Sequence, residues 1–384
     1  MIEFRLASFT IKSRRYVDFR NAGYFGSGAF EQSDDLRTIY NNHMTGLFKQ
    51  YEKFVDSGVD VEDARFVLPY SYYSNIVFSA GVRELRHILY SMIYGRGSKY
   101  PEIRDLAEQM VSQLKEVSEP AFSNIDKSEY YPENKDEGLS ALISYKNKLM
   151  NIVVEGQTEL TDYDPNAKDK IIRAALISQG IYDKGYILEV LNDDSLKKEI
   201  INILLNDARK RELEQGGFTF IINNISLAGL THFARHRMKS PVIPNISHAI
   251  ADNNFIIPPK IASDNKLREE YEQTFYHNKA IYDQYFKQEL EGIYFNLSGN
   301  TLSLQTYMNY RELIATFFPL RTCNRAQWEI RDIAMQMLEQ SRNVEPDIFN
   351  YVGPRCYGLG WCPEKSLTCG KSKEIKHKFN PSKE

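Results

Sequence analysis

Three clusters of basic and hydroxyl side chains could carry chemistry. Arg235-His236-Arg237 sets two guanidinium groups and an imidazole in consecutive positions. A planar guanidinium suits phosphate or a polarised carbonyl, and imidazole adds a donor whose charge is tunable near neutral pH. The triplet follows the apolar stretch 225–234, read as a helix, so three groups gather at its end; a surface ion-pair cluster has the same spacing. The second cluster, Arg321-Thr322-Cys323-Asn324-Arg325, runs into Ala326-Gln327-Trp328-Glu329-Ile330-Arg331. Alone, it also fits a helix start with solvated charges. The third is Ser8-Phe9-Thr10-Ile11-Lys12-Ser13-Arg14-Arg15-Tyr16. Hydroxyls alternating with cations suit a phosphate cradle, and Ser13 and Arg15 face one side if the segment is extended. Helix capping explains such serines equally well.

These groups must be positioned by helices and a few strands, and the sequence uses them twice. Arg83-Glu84-Leu85 and Glu102–Met110 match Arg311-Glu312-Leu313 and Glu329–Met337 at offsets of 228 and 227 residues. Arg5-x-x-Ser8 matches Arg237-x-x-Ser240 at 232. Three collinear matches at nearly one offset indicate an internal duplication. Ile103, Leu106, Ala107, Met110, Val111 and Leu114 recur at the spacing of an amphipathic helix, as do Ile330, Ile333, Ala334, Met337 and Leu338. Phe218-Thr219-Phe220-Ile221-Ile222, opened by Gly216-Gly217, reads as a strand. Without a βαβ rhythm the fold class is α+β, with two related units fused in one chain and helices packed on a small mixed sheet. Residues 1–117 are expected to form a truncated N-terminal unit and 158–370 a C-terminal unit, the latter with a helical preface over 168–191. The polar, proline-containing stretch 118–157 reads as a connector, and the Lys- and Ser-rich residues 371–384 as a flexible tail.

Composition narrows the chemistry. Hydrophobic residues make up 42%, enough for real cores, and the formal charge of -3 offers no overall field for nucleic acid. No apolar run approaches the ~18 residues of a membrane span, and the N-terminus lacks a signal-peptide pattern, so a cytoplasmic protein away from membranes is expected. The four cysteines, Cys323, Cys356, Cys362 and Cys369, are too few for a disulfide framework and lack the tight spacing of a zinc knuckle. No metal site is assigned. Neither a P-loop nor a Gly-rich dinucleotide fingerprint occurs.

With these residues assembled, the chain resembles the flavin-dependent thymidylate synthases. Their signature runs R-H-R-x-x-S-x-N-E-x-S-x-R, followed by A-R-x-V-L-P, N-x-R-x-L and L-R-x-x-x-x-A-Q-W-E-I-R. The second copy supplies Arg235-His236-Arg237-Met238-Lys239-Ser240, Asn309-Tyr310-Arg311-Glu312-Leu313 and Leu320-Arg321 with Ala326 through Arg331. The first copy supplies Ser8 through Ser13, Arg15-Tyr16 and Ala64-Arg65-Phe66-Val67-Leu68-Pro69. The ending, Gly353-Pro354-Arg355-Cys356, Cys362-Pro363-Glu364 and Cys369-Gly370, is similar to tails of the family. Departures are specific. Glu3-Phe4 stand in place of Arg-His, Thr10-Ile11 in place of Asn-Glu, and Tyr100-Pro101 in place of Gln-Trp. The second copy loses the back of the signature, where Pro241 through Asn245 run instead, and has no A-R-x-V-L-P.

The resemblance implies a division of labour. Ser13, Arg15 and Arg65 match positions that hold the nucleotide. Arg235, His236, Arg237, Asn309, Arg311 and Arg325 match positions that contact FAD. Arg321 matches the arginine between flavin and pyrimidine, and is the expected catalytic group. The implied reaction is C5 methylation of dUMP to dTMP with FAD as cofactor and methylenetetrahydrofolate and NADPH as co-substrates. It needs no protein nucleophile, and the chain has no Pro-Cys-His triplet. The implied assembly is a homodimer that mimics a homotetramer. Ile11 replaces a glutamate near the reacting centre, which leaves two alternatives open: C5 methylation or hydroxymethylation of another uridine nucleotide, and a catalytically silent nucleotide-binding homologue.

Overall fold

Phe9 of the strand β1 (Ala7–Ile11) faces Phe78 of β2 (Ile76–Ala80), and their rings stack with centroids 5.8 Å apart. The two strands are antiparallel, with Ser8 opposite Ser79. The computed structural model of the chain describes residues 4–26, 33–125 and 156–379. Glu3, most of the expected connector (126–155) and the last residues of the expected tail (380–384) lie outside the described residues.

The chain forms two compact units. The first comprises Met1–Glu155, Ser226–Ala228 and Asn245–Thr301. Residues 245–301 therefore pack with the N-terminal part of the chain instead of joining the rest of 158–370. Burial is the physical cause. The helix Asp34–Asp56 is capped by Ser33, carries Asp34 and Asp35 in its first turn, and buries Tyr40, Met44, Leu47, Tyr51 and Phe54 on one face. The helix Asn265–Ile281 packs on it, with Asn278 Oδ1 2.9 Å from Nε2 of His43 and Lys53 paired to Glu270 at 2.8 Å. The helix Pro101–Phe122 begins with proline, where the missing N–H costs nothing, and kinks at Ser118 ahead of Pro120.

The second unit comprises Gly156–Ile225, Gly229–Pro244 and Leu302–Glu384. Its sheet has the order β3-β4-β6-β5, with β3 Thr158–Tyr163, β4 Gly217–Ser226, β5 Lys239–Val242 and β6 Thr301–Asn309. β3 pairs antiparallel with β4, and β5 with β6. Phe218, Tyr310 and Phe349 form the aromatic centre of the core, with ring centroids 4.7 to 5.3 Å apart. The helix Trp328–Val344 buries Ile330, Ile333, Ala334, Met337 and Leu338, the face expected from its period, and Gln327 caps it by accepting from the Ile330 N–H at 3.1 Å. Small antiparallel sheets covered by helices make this an α+β fold.

Three local expectations change. The helix expected over 225–234 is Leu227–Phe233, because β4 keeps the β-branched Ile225 and runs to Ser226. The preface 168–191 is two helices, Ala167–Ser178 and Lys184–Asn192, broken at Gly180 in a left-handed turn (φ 79°). Residues expected as tail form the helix Ser372–Phe379, anchored by buried Ile375 and Phe379.

The offsets seen in the sequence recur in the architecture. Ser240 stands opposite Tyr307 as Ser8 stands opposite Ser79, positions 232 and 228 residues apart. Helices begin at Val82 and Tyr310, 228 apart, and at Pro101 and Trp328, 227 apart.

Candidate functional site

In the first unit, β1 delivers the chain into a tight turn instead of an extended run. The Val17 N–H reaches the Ser13 carbonyl at 3.1 Å, and Ser13 Oγ accepts from the Arg15 N–H at 3.2 Å. Ser13 and Arg15 therefore do not present side chains in parallel. The short helix Val61–Ala64 and the following turn Arg65–Val67 bring up Glu62 and Arg65. Arg15 pairs with the Glu62 carboxylate through Nε and Nη2. Arg65, 2% exposed, donates from Nε to the Glu62 carbonyl at 2.9 Å. Burial pushes its guanidinium down to about 9, and Arg14 and Arg15 push in the same direction, so it stays protonated at neutral pH. Arg14 is also buried; it donates to Ser298 Oγ at 2.6 Å and lies 4.4 Å from the centre of the Tyr72 ring. Arg15 and Arg65 thus meet at Glu62, with Arg14 near enough to Arg65 to oppose its charge. Such a cluster favours a bound anion over any cation. Arg14 and Glu62 join the site only through the fold: Arg14 lies inside the stretch Ser8–Tyr16, and Glu62 carries no signal in the sequence beyond lying three residues before Arg65.

In the second unit the expected triplet is split by burial. Arg235 and Arg237 are exposed, whereas His236 between them is buried. His236 Nδ1 lies 2.9 Å from Glu312 Oε1, and Arg321 donates from Nε to His236 Nε2 at 2.9 Å. Arg321 also donates from Nη2 to the His232 carbonyl at 3.1 Å. A guanidinium can only donate, so Nε2 is unprotonated and the ring proton sits on Nδ1, where the carboxylate accepts it. Burial pulls the imidazole below its ordinary value against the opposing pull of Glu312, and Arg321 and Lys239 add to the lowering. His236 is therefore neutral. Phe317 closes over the ring edge-on at 5.0 Å, brought there by one π turn, Leu313–Phe317.

The other expected cofactor residues take separate places. Asn309 accepts the Glu312 N–H at 2.8 Å and so caps the helix that carries Glu312. Arg311 pairs with Glu214, and the exposed Arg325 donates to the Leu367 carbonyl at 2.7 Å. The signal for Glu312 in the sequence is the match of Arg311-Glu312-Leu313 to Arg83-Glu84-Leu85. In the first unit, the offsets put Phe4, Glu84 and Ile93 at the counterparts of His236, Glu312 and Arg321. The Phe4 ring meets His87 edge-on at 5.3 Å. The histidine and the arginine of that network are thus replaced there by apolar side chains, while the glutamate position is kept. Among the described residues no group of three His, Cys, Asp or Glu is set to hold a metal ion, and no helix is long and apolar enough to cross a membrane.

The family described as thymidylate synthase complementing protein matches residues 1–119 and 159–347. A flavin-dependent thymidylate synthase of Clostridium tetani is 30% identical over 254 residues, spanning 60% of this chain and 98% of that protein. A flavin-dependent thymidylate synthase of Pyrococcus abyssi is 32% identical over 220 residues, 54% of this chain and 89% of that protein. A crystal structure of the flavin-dependent thymidylate synthase of Helicobacter pylori, complexed with FAD and dUMP, is 18% identical, with a TM-score of 0.38 over 50% of this chain and 98% of that one.

Proposed function

Because the chain belongs to the thymidylate synthase complementing protein family, we propose that it is a flavin-dependent enzyme that methylates dUMP at C5. Methylenetetrahydrofolate is the proposed carbon source and NADPH the reductant. The observation that best supports this function is the buried Glu312–His236–Arg321 chain of hydrogen bonds with exposed arginines on either side of its imidazole. A dinucleotide such as FAD carries two phosphates, and the exposed Arg235 and Arg237 are the groups proposed to contact them. Arg235, His236, Arg237, Asn309, Arg311 and Arg325 are the residues proposed to hold it. When bound, the flavin supplies the redox chemistry that carbon transfer to a pyrimidine needs. Ser13, Arg15 and Arg65 are proposed to hold the nucleotide phosphate, and Arg321 to face the pyrimidine and stabilise negative charge on the ring. The protein's part is orientation and electrostatics, with no covalent nucleophile. The test is direct: purified protein should be yellow and should release tritium from [5-³H]dUMP when reductant and methylenetetrahydrofolate are present. A yellow protein that binds dUMP without releasing tritium would mark a nucleotide-binding homologue.

A second enzyme function keeps FAD and changes the nucleotide or the group transferred. Ile11, the last residue of β1, faces Ile76 of β2 where family members carry glutamate. An apolar pair at that place favours a changed substrate. Product analysis with dUMP and UMP side by side separates the two. The proposed assembly is a homodimer. Leu6, Ile76 and Val77, at and beside the β1–β2 pair, are exposed at 77%, 46% and 70%, an apolar edge suited to association. Sedimentation of the purified chain measures it.

A further inference from the structure

The geometry points to Glu312 as the residue that positions Arg321, acting through the imidazole of His236. This rests on the proposed role of Arg321 at the pyrimidine, and it names the device that aims it. The chain of contacts begins with Asn309, whose side chain accepts the Glu312 N–H at 2.8 Å and fixes the first turn of the helix. The Glu312 carboxylate, 7% exposed, then accepts from Nδ1 of His236, 4% exposed, at 2.9 Å. Nε2, stripped of its proton, accepts from Nε of Arg321 at 2.9 Å. The His232 carbonyl takes a second donor of the same guanidinium at 3.1 Å. Two acceptors at fixed points orient a planar fork.

The link works only in one tautomer. With the proton on Nε2, the ring would present a donor to a donor, and Arg321 could not stay. The hydrogen bond made at one ring nitrogen decides which proton the other carries, so the Glu312 carboxylate selects the form that accepts from Arg321. Protonating both nitrogens would have the same disruptive effect. The charged groups facing the imidazole are Glu312, Arg321 and Lys239. Lys239 is itself buried, donates to the Phe233 carbonyl at 2.6 Å and sits 3.8 Å from the centre of the Phe233 ring. Its charge and that of Arg321 oppose an imidazolium, so the ring is held neutral while Glu312 sets its tautomer.

The experiment compares wild type, Glu312→Gln, Glu312→Leu and Arg321→Ala. It reads the ¹⁵N shifts of the His236 ring without ligand, flavin absorbance, and dUMP affinity by calorimetry. Wild type and Glu312→Gln, which keeps a carbonyl acceptor, should show the proton on Nδ1. Glu312→Leu should show it on Nε2 and bind dUMP roughly ten- to hundredfold more weakly, the worth of about one charged hydrogen bond. The Gln variant should recover most of that loss together with the Nδ1 proton, and this coupling of affinity to the ring tautomer is what a merely structural role would not produce. If Glu312→Leu does not fold, Glu312→Asp, too short to reach Nδ1, replaces it. A wild-type ring protonated on Nε2 overturns the inference, as does a Leu or Asp variant with dUMP affinity unchanged while Arg321→Ala loses it. If Arg321→Ala binds dUMP like wild type, the proposed role of Arg321 fails instead, and the ring shifts still decide whether Glu312 sets the imidazole.

Discussion

Arg65 donates its Nε proton to the main-chain oxygen of Glu62 at 2.9 Å, so a guanidinium 2% exposed is fixed by the backbone of its own turn. Burial and the nearby charges of Arg14 and Arg15 disfavour its cation. An anion bound beside it relieves that cost. Nucleotide binding should therefore raise the melting temperature of the wild type by mass action. Arg65→Ala should lose about 1.5–3 kcal/mol of dUMP binding, roughly ten- to hundredfold, with flavin content unchanged. Calorimetry and absorbance on one preparation check both halves, and unaltered dUMP affinity would remove Arg65 from the site.

Arg237 is exposed, so its removal should not cost much folding stability. Arg237→Ala is expected to give a folded but colourless protein, with wild-type circular dichroism and absent absorbance near the flavin bands. Full flavin content in Arg237→Ala and in Arg311→Ala would refute the assignment of cofactor contacts to this unit.

The neutral state of His236 has a signed pH consequence. Its folded value lies below the ordinary 6.5, so the unfolded chain takes up a proton that the native ring refuses. The stability it contributes is complete above about 6.5 and falls away as pH drops below that. Buried His43 shifts in the same direction. The informative quantity is the difference in acid-side slope between wild type and His236→Gln in urea unfolding. The variant should be flatter between neutrality and pH 5; equal slopes would mean that folding does not lower the proton affinity of His236.

Phe349 packs its ring against Phe218 at 5.3 Å, Tyr310 at 5.0 Å and Phe318 at 6.1 Å, and is fully buried. Phe349→Ala should cost about 3–5 kcal/mol, because the neighbouring aromatic rings cannot collapse into the space. Urea denaturation followed by tryptophan fluorescence measures it, since Trp328 belongs to the same unit.

The number of flavins per chain follows from Phe4, Glu84 and Ile93 standing at the counterparts of His236, Glu312 and Arg321. One FAD per 384-residue chain is expected. Absorbance against protein concentration, after saturation and gel filtration, gives the ratio. Two per chain would show that the first unit binds flavin without the imidazole network.

The sequence by itself determined whatever has a local period or a fixed motif. The apolar face of Trp328–Val344, the strand around Phe218, the recurring offsets of 227 to 232 residues and the cationic triplet were all legible. Each is written within a few turns of backbone, where helix and strand periods act directly. The ends of elements were less so: Ile225 stayed in β4, because its β-branched side chain is held by burial in the sheet and not by local preference. Only the tertiary structure decided which charges meet. Ser298 lies 284 residues from the Arg14 it accepts from, and Glu312 lies 76 from His236. No period spans such separations. Packing the helix Asn265–Ile281 against Asp34–Asp56 carried residues 245–301 into the first unit, and one π turn set Phe317 beside an imidazole whose tautomer is chosen by a carboxylate from another segment. Long-range burial fixes those partners, since a buried polar group must find its hydrogen bond wherever the fold provides one.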